Sequence, residues 1–152
     1  MEVRIRRAGP KDQPQIVAMV RAAHLNPSKL QWSRFVVAEY EGRPVGVAQV
    51  RIYPDGTREL ASLVVDPAMQ GRGVATRMVD ALLAEEKDDV FTLIDQRYVQ
   101  HFERWGFSAV PATSLPRYLR RTYRVGRVVT RLGSLLRRDR IRIVSLLRTG
   151  SS

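Results

Sequence analysis

Hydrophobic residues in the first half of the chain follow patterns typical of strands, with one helix near the start. Residues 3–8 alternate between polar and apolar side chains and predict a strand, whereas apolar residues recur at helical spacing over 16–23. Turn-forming sequences at 41–43 and 54–57 separate three apolar runs. These runs predict strands at 35–41, 44–53 and 58–65, the last two paired as a hairpin.

The second half of the chain alternates between helices and short strands. Helices are predicted at 74–83 and 96–105, the second with Gly106 as its C-terminal cap. Residues 115–138 predict an extra basic amphipathic helix before the last strand, with apolar residues on one face and arginines on the other. Strands are predicted at 90–94, 108–112 and 141–148. We therefore expect an α/β (α+β) protein whose central sheet of six to seven strands is flanked by helices.

Length and composition narrow the class of protein. The 152 residues predict a single domain over 1–148 with its own core, followed by a flexible C-terminus at 149–152. No apolar run approaches the length of a membrane span and the N-terminus has no secretory pattern, so we predict a cytoplasmic location. The chain has no cysteine, which excludes disulfides and thiolate catalysis. With two histidines far apart in sequence, no metal site is expected.

The positive charge is concentrated near the end of the chain. Residues 115–152 hold eleven arginines and one acid, a formal charge of +10, whereas the other 114 residues carry only +1. The arginine face of the predicted helix is either an ordinary solvated face or the contact for an anionic partner: a membrane surface, RNA or the ribosome. Aromatic residues among these arginines are sparse, which argues against stacking on a single nucleic-acid strand.

Residues 70–75, Gln-Gly-Arg-Gly-Val-Ala, lie between a predicted strand and a predicted helix. Glycines let a backbone approach a ligand closely, and the first amides of a helix have no partner within it, so this segment predicts a phosphate or pyrophosphate site. A nucleotide-binding P-loop would need a lysine, which the segment lacks. A dinucleotide fingerprint would need a third glycine where Thr76 stands.

A third interpretation of residues 70–75 is that they resemble the ligand-binding motif of a known protein family. The pattern Gln70-x-x-Gly73-x-Ala75 resembles the acetyl-CoA-binding motif of the GNAT family, the Gcn5-related N-acetyltransferases. The aromatic-rich segment 98–107, which ends in Gly-Phe, resembles the second hallmark of this family, and 35–48 resembles its second and third strands. The resemblance covers roughly residues 3–112. It implies a mixed, mostly antiparallel sheet and an N-acetyltransferase that uses acetyl-CoA as co-substrate.

The resemblance also implies the parts of a CoA site. Backbone amides of Leu63, Val64 and Val65 match the positions that hold the thioester carbonyl in the family. The pyrophosphate is then expected on the motif and the first residues of its helix: Gln70, Gly71, Arg72, Gly73, Val74, Ala75 and Thr76. Phe102 is expected to pack against CoA, because it stands where the family has a tyrosine that acts as general acid.

Two residues are candidates for proton transfer. Glu59 lies in the same predicted strand as Leu63, and strand alternation predicts that the two share one face. Many family members have a glutamate here that removes the proton of the amine, and burial in a strand would suit such a base. The alternative is a glutamate at the sheet edge, in water and paired with Arg51 or Arg58 across the hairpin. Tyr98, one helical turn before Phe102, is the candidate for the missing general acid, although packing or exposure alone also explains it.

The sequence says less about the amine that would accept the acetyl group. In the family, the loop after the first helix lines the acceptor pocket, so His24, Asn26 and Trp32 are candidates, with Tyr53 at the hairpin end. The ending Phe102-x-x-x-Gly106-Phe107 is similar to N-acetylglutamate-synthase-like members and implies an amino-acid-type substrate. The resemblance implies that the substrate is a small-molecule amine or a protein amine. Homodimers are common in the family, so a homodimer is also expected. The alternative function is a catalytically weak acyl-CoA-binding module that docks to an anionic partner through its arginine-rich helix.

Overall fold

The computed structural model describes residues 2–134 and 141–151. They form an α/β structure with a seven-stranded sheet in the order β1-β2-β3-β4-β5-β7-β6. The strands are β1 (Arg4–Arg7), β2 (Phe35–Tyr40), β3 (Arg43–Ile52), β4 (Arg58–Val65), β5 (Val90–Asp95), β6 (Ser108–Ala109) and β7 (Ile143–Arg148). The helices are α1 (Gln13–Ala22), α2 (Val74–Ala84), α3 (Val99–Glu103) and α4 (Arg117–Ser134). The chain divides into two compact units, 1–51 with 60–86, and 52–59 with 87–152.

The first unit contains β1 to β3, most of β4, and helices α1 and α2. Strand β1 pairs antiparallel with β2, and β2 pairs antiparallel with β3. Apolar residues of α1, including Ile16 and Val20, pack with Phe35 and Val37 of β2 in a buried cluster. Glycine at 46 lets α2 approach β3, because an added Cβ would lie 2.9 Å from Met78 Cε. This close approach packs α2 against β3 at Met78.

The second unit contains the tip of the β3–β4 hairpin, strands β5 to β7, and helices α3 and α4. Strand β7 pairs antiparallel with both β5 and β6. Tyr53 at the hairpin tip packs with Leu115 and Leu119, and Phe91 and Tyr118 pack against the same cluster. The beginning of α4 is thereby anchored beside the hairpin tip.

Several element boundaries differ from the sequence-based expectation. The helix predicted at 96–105 is a 3-10 turn, Gln96–Tyr98, followed by the short α3, because the Asp95 side chain accepts from Arg97 N and caps the turn. The strand predicted at 108–112 has only two residues, since Pro111 cannot donate a ladder hydrogen bond. Helix α4 begins at Arg117 and β7 at Ile143. Residues 135–138 of the predicted basic helix lie outside the described residues.

Candidate active site

The turn from Tyr53 to Thr57 brings a tyrosine and a glutamate together inside the second unit. Tyr53 N donates to Thr57 O at 2.9 Å, and Gly56 N donates to Tyr53 O at 2.9 Å, so the hairpin closes tightly. The next residues enter β4, where the side chain of Glu59 is 4% exposed. Tyr53 Oη donates to Glu59 Oε1 at 2.7 Å. The candidate general base is therefore buried, and the hydroxyl of Tyr53 donates a hydrogen bond to one of its oxygens.

Further along β4, Ser62 interrupts the regular strand geometry. Its φ of 56° lies in the left-handed region, which costs a residue with a side chain about 1–2 kcal/mol. Ser62 Oγ accepts from Gln49 Nε2 at 2.9 Å, a contact that holds the serine in place. Because one residue leaves the extended conformation, the two-residue alternation does not continue through this point. The shared face predicted for Glu59 and Leu63 therefore does not follow from alternation.

The three residues proposed to hold the thioester carbonyl form the end of β4. Leu63, Val64 and Val65 are partly exposed, and Val64 packs against the core of the first unit. The chain leaves the strand with Asp66 N donating to Val45 O at 2.8 Å. Asp66 Oδ1 then accepts from Ala68 N and caps a short 3-10 turn, Pro67–Met69. These contacts fix the point at which the motif segment begins.

The motif segment forms an open turn between β4 and α2. The side chain of Gln70 folds back on the strand, where its Nε2 donates to Val65 O at 3.1 Å. Gly71 and Gly73 have φ values of 76° and 79°, and the space beside both Cα atoms is empty to 4 Å. Glycine is required at these positions by the backbone conformation rather than by crowding. Residues 70–73 are exposed, so the backbone of the turn is accessible to a ligand.

Helix α2 begins at this turn without a side-chain cap. Gly73 is the N-cap residue and makes no capping hydrogen bond, whereas Arg77 N closes the first helical turn on Gly73 O at 3.1 Å. The amides of Val74, Ala75 and Thr76 therefore lie at the positive end of the helix dipole. Arg72, exposed in the same turn, adds a full positive charge. This donor set fits a diphosphate.

The two aromatic candidates near α3 differ in environment. Phe102 is 6% exposed, and its ring packs edge-on against Trp105 and Phe107 at centroid distances of 5.3 and 5.8 Å. Tyr98 is 53% exposed at the N-terminus of α3, with the Arg97 guanidinium 5.8 Å from its ring centroid. Phe102 is thus mainly a core residue of the second unit, whereas the phenol of Tyr98 is accessible.

The acceptor candidates lie on the segment between α1 and β2, in the first unit. His24 is exposed and has a φ of 56° just after α1. Asn26 Oδ1 accepts from the amide and the hydroxyl of Ser28, so this side chain stabilises a turn. Trp32 is half-buried against the core, and its amide donates to Gln13 Oε1 at 2.8 Å. His24 and Asn26 are both exposed, but the Asn26 oxygen is already engaged by Ser28.

Sequence reasoning missed some of the polar residues around the site. Tyr53 was expected to line the acceptor pocket, but its hydrogen bond to Glu59 was not anticipated. Thr122 of α4, whose Oγ1 lies 3.2 Å from Tyr53 Oη, gave no signal in the sequence because it is 69 residues away along the chain. A polar residue on the inner side of an amphipathic helix is the only hint that could have pointed to Thr122.

The described residues contain neither a metal-binding group of side chains nor a helix that could span a membrane. Nowhere in 2–134 and 141–151 do three or more histidine, aspartate or glutamate side chains form a group that could hold a metal ion. Among the helices in these same ranges, none combines the length and the apolar character that crossing a bilayer requires.

Solved structures with the same fold include several acetyltransferases. N-acetylglutamate synthase from Neisseria gonorrhoeae, complexed with coenzyme A and N-acetyl-glutamate, is similar with a TM-score of 0.76 and 23% identity. The match covers 100% of this chain but only 36% of the synthase, so the chain spans little more than a third of that protein. Rv2747 from Mycobacterium tuberculosis, in complex with CoA and NLQ, has a TM-score of 0.72 and 25% identity, covering 96% of this chain and 98% of that one.

A third solved structure and a family match point to the same family. The ribosomal-protein-S18-alanine N-acetyltransferase from Escherichia coli is similar with a TM-score of 0.69 and 15% identity, covering 99% of this chain and 96% of that one. No curated protein sequence matches the chain. Residues 10–107, more than half of the chain, match the model of the acetyltransferase (GNAT) family. The chain therefore belongs to the acetyltransferase (GNAT) family.

Proposed function

We propose that the protein transfers an acetyl group from acetyl-CoA directly to a primary amine in a ternary complex, with Glu59 as the general base. The observation that carries this proposal is the buried carboxylate of Glu59, which is held by the hydroxyl of Tyr53 at 2.7 Å. A buried, oriented carboxylate is a suitable proton acceptor for an alkylammonium, which has no lone pair until it loses a proton. Glu59 also belongs to β4, the strand that ends in the proposed carbonyl-binding residues.

The proposed reaction conserves atoms and charge as follows. Glu59 takes one proton from the ammonium, directly or through water, and the freed lone pair attacks the carbonyl carbon of the thioester. Backbone amides of Leu63, Val64 and Val65 stabilise the negative charge that develops on the carbonyl oxygen. The carbon–sulfur bond then breaks, and the CoA thiolate takes a proton from an acid. The nitrogen loses its second proton, which restores the acid through water, and Glu59 releases the first proton to solvent. The products are the acetylated amine and free CoA.

We assign the diphosphate of CoA to the turn and the start of α2. The amides of Gly71 to Thr76 are suited to this role because the turn is exposed and the helix has no side-chain cap. The Gln70 side chain, bonded to Val65 O, contributes by fixing the turn on the strand. Arg72 adds its charge. We further propose that the small exposed part of Phe102 contacts CoA.

Tyr98 is our proposal for the acid that protonates the CoA thiolate. Its phenol is exposed, whereas Phe102, at the position where family members have a tyrosine, has no proton to give. If water protonates the thiolate instead, then Tyr98→Phe keeps the turnover rate of the wild type.

The acceptor that we propose is an amino acid or a similar small amine, with a protein N-terminus as the second class. Structural neighbours of both kinds support this choice: one complexed with N-acetyl-glutamate and one that acetylates alanine of ribosomal protein S18. We place the acceptor next to the segment after α1, with His24, Asn26 and Trp32 as its contacts. The predicted cytoplasmic location and homodimer stay predictions, the second of which sedimentation analysis tests.

A substitution of Glu59 tests the proposal. Acetyl-CoA is supplied with L-glutamate, L-arginine or a peptide with an N-terminal alanine, and the release of CoA thiol is measured. For the accepted amine, Glu59→Gln is expected to lower kcat by about 100-fold or more, because general base catalysis is lost, with little change in acetyl-CoA affinity. Glu103→Gln, which changes an exposed glutamate of α3, is the matched control. Wild-type activity of Glu59→Gln at every pH would rule out Glu59 as the base.

One observation favours a second candidate function, an acyl-CoA-binding module that docks to an anionic partner. Helix α4 exposes Arg117, Arg121 and Arg124 and contains no acidic residue, and Val125 and Val128 are exposed beside them. This surface suits a membrane, RNA or ribosomal surface. CoA binding without acetylation of any amine in a broad panel would favour this candidate. Absent or salt-insensitive binding to RNA and to anionic vesicles would exclude the partner.

A further inference from the structure

A buried chain of hydroxyl groups in the second unit leads from helix α4 to Glu59. Tyr53 Oη donates to Glu59 Oε1 at 2.7 Å, and Thr122 Oγ1 lies 3.2 Å from Tyr53 Oη. Thr122 Oγ1 is also 3.2 Å from the carbonyl oxygen of Tyr118, one turn earlier in α4. The chain thus joins the carboxylate of β4 to the backbone of a helix far away in sequence.

Counting hydrogens fixes the direction of this chain. A tyrosine hydroxyl has one hydrogen, and Tyr53 gives it to the carboxylate, which can only accept when ionised. Tyr53 Oη is therefore the acceptor in its contact with Thr122, and the threonine is the donor. Because Thr122 also has a single hydrogen, its two contacts share that hydrogen between Tyr53 Oη and the Tyr118 carbonyl. A hydroxyl that accepts one hydrogen bond becomes a better donor for the next.

Packing holds the ring of Tyr53 in one place. The ring is buried with Leu115 and Leu119, and it is stacked on the ring of Tyr118 at a centroid distance of 6.5 Å. Its hydroxyl cannot turn away from Glu59 without moving residues of α4. Arg58, a charged neighbour of Glu59 in this unit, directly precedes it in β4. The Nε atom of Arg58 lies 3.5 Å from Asp88 Oδ2, so this arginine forms an ion pair with Asp88.

We infer that Tyr53 and Thr122 are positioning residues for Glu59: the tyrosine fixes the rotation of the carboxylate and stabilises its ionised form, and the threonine fixes the tyrosine. The inference rests on the proposed function of Glu59 as general base. A hydrogen bond to one oxygen fixes the rotation of the carboxylate, and proton transfer from a bound amine requires a carboxylate of fixed orientation. Helix α4 thereby helps to position Glu59 through Tyr53.

The first experiment reads Glu59 directly and needs no substrate. Glutamate labelled with ¹³C at its carboxyl carbon is incorporated into the seven glutamates of the protein, and the signal of Glu59 is assigned by its loss in Glu59→Gln. In Tyr53→Phe, the pKa of Glu59 is expected to rise by about one pH unit, the effect of losing one hydrogen bond to a charged group. Thr122→Val is expected to raise it by less, and Thr122→Ser to leave it unchanged.

A matched control separates the hydroxyl from the packing. Tyr118→Phe removes a hydroxyl from the stacked ring, in the same cluster as Tyr53, and is expected to leave the Glu59 titration unchanged. In the thiol-release assay, Tyr53→Phe is expected to move the acid limb of the kcat–pH profile upward by about one pH unit, so that kcat falls by up to about tenfold on that limb. The KM for acetyl-CoA is unchanged, and kcat recovers at higher pH. The recovery follows because more of the carboxylate is ionised as the pH rises.

The outcomes are distinguishable from failure of the proposed function. An unchanged Glu59 titration in folded Tyr53→Phe overturns the positioning role, whatever the activity. Full activity of Glu59→Gln overturns the role of Glu59 as base, whatever Tyr53 does to its titration. If Tyr53→Phe does not fold, the Thr122→Val and Thr122→Ser pair decides the question. Equal Glu59 titrations and equal kcat values in that pair would overturn the inference.

Discussion

The carboxylate of Asp12 shows how one buried charge is stabilised in the first unit. Asp12 is 8% exposed, and Arg6 holds it with two hydrogen bonds, from NH1 to Oδ2 at 2.7 Å and from NH2 to Oδ1 at 3.0 Å. Gly9 N donates to Oδ2 at 2.7 Å. The hydrogen bonds from Arg6 lower the pKa of Asp12 below its ordinary value, and they outweigh burial, which acts in the opposite direction.

This lowered pKa predicts a specific pH dependence of stability. The contribution of Asp12 is complete above the ordinary aspartate pKa of about 4 and is lost as the pH falls through the lower pKa of the folded state. Asp12→Asn is expected to reduce the free energy of unfolding by about 1–3 kcal/mol at neutral pH, and the difference from wild type should shrink below about pH 4. Urea unfolding measures this. Asp88→Asn, at an exposed ion pair, is the control and should change little.

Single residues also show what the sequence could not predict. Strand 58–65 was predicted at its observed bounds, yet nothing in its composition revealed the left-handed conformation of Ser62. That conformation is maintained by Gln49 from the neighbouring strand, a tertiary contact that overrides local preference. The same is true of Tyr53 and Thr122, whose contact depends on how α4 packs. Sequence patterns report local periodicity, whereas these contacts join distant parts of the chain.

At the scale of elements, the strand–turn–helix from β4 to α2 was predicted best, because glycine and helical periodicity are strong local signals. The start of α2 at Val74 agrees with the prediction. The short β6 and the broken start of α3 were predicted less well. Their lengths depend on Pro111 and on the Asp95 cap, which shift boundaries by a few residues.

A glycine substitution tests the role of this turn as a diphosphate site. Gly73→Ala places a side chain at a φ of 79°, which costs about 1–2 kcal/mol or forces the turn to change. Because the amides of the turn lose their arrangement, acetyl-CoA affinity measured by calorimetry is expected to fall about tenfold or more. Gly42→Ala is the matched control, since Gly42 has a φ of 75° in an open turn between β2 and β3. Equal affinity loss in both variants would argue against the assignment.

At the scale of the whole molecule, the charge is distributed unequally over the chain. Residues 115–152 carry a formal charge of +10, and the remainder, which includes the family match over 10–107, is close to neutral. The family assignment therefore does not depend on the basic segment. The single domain predicted for 1–148 stays a prediction, and it has a thermodynamic consequence.

If residues 1–148 form one domain, calorimetry is expected to show a single unfolding transition, because a cooperative domain loses all its packing together. As the proposed co-substrate, acetyl-CoA is expected to bind only the folded state, so a concentration of about 100 times its Kd should stabilise the protein by about 2.7 kcal/mol. For a chain of this size, that raises Tm by about 5–10 °C. Gly73→Ala at the same acetyl-CoA concentration should show a much smaller rise, which links the shift to the turn. A second transition that does not respond to acetyl-CoA would contradict the single domain, and no shift at all would contradict acetyl-CoA binding.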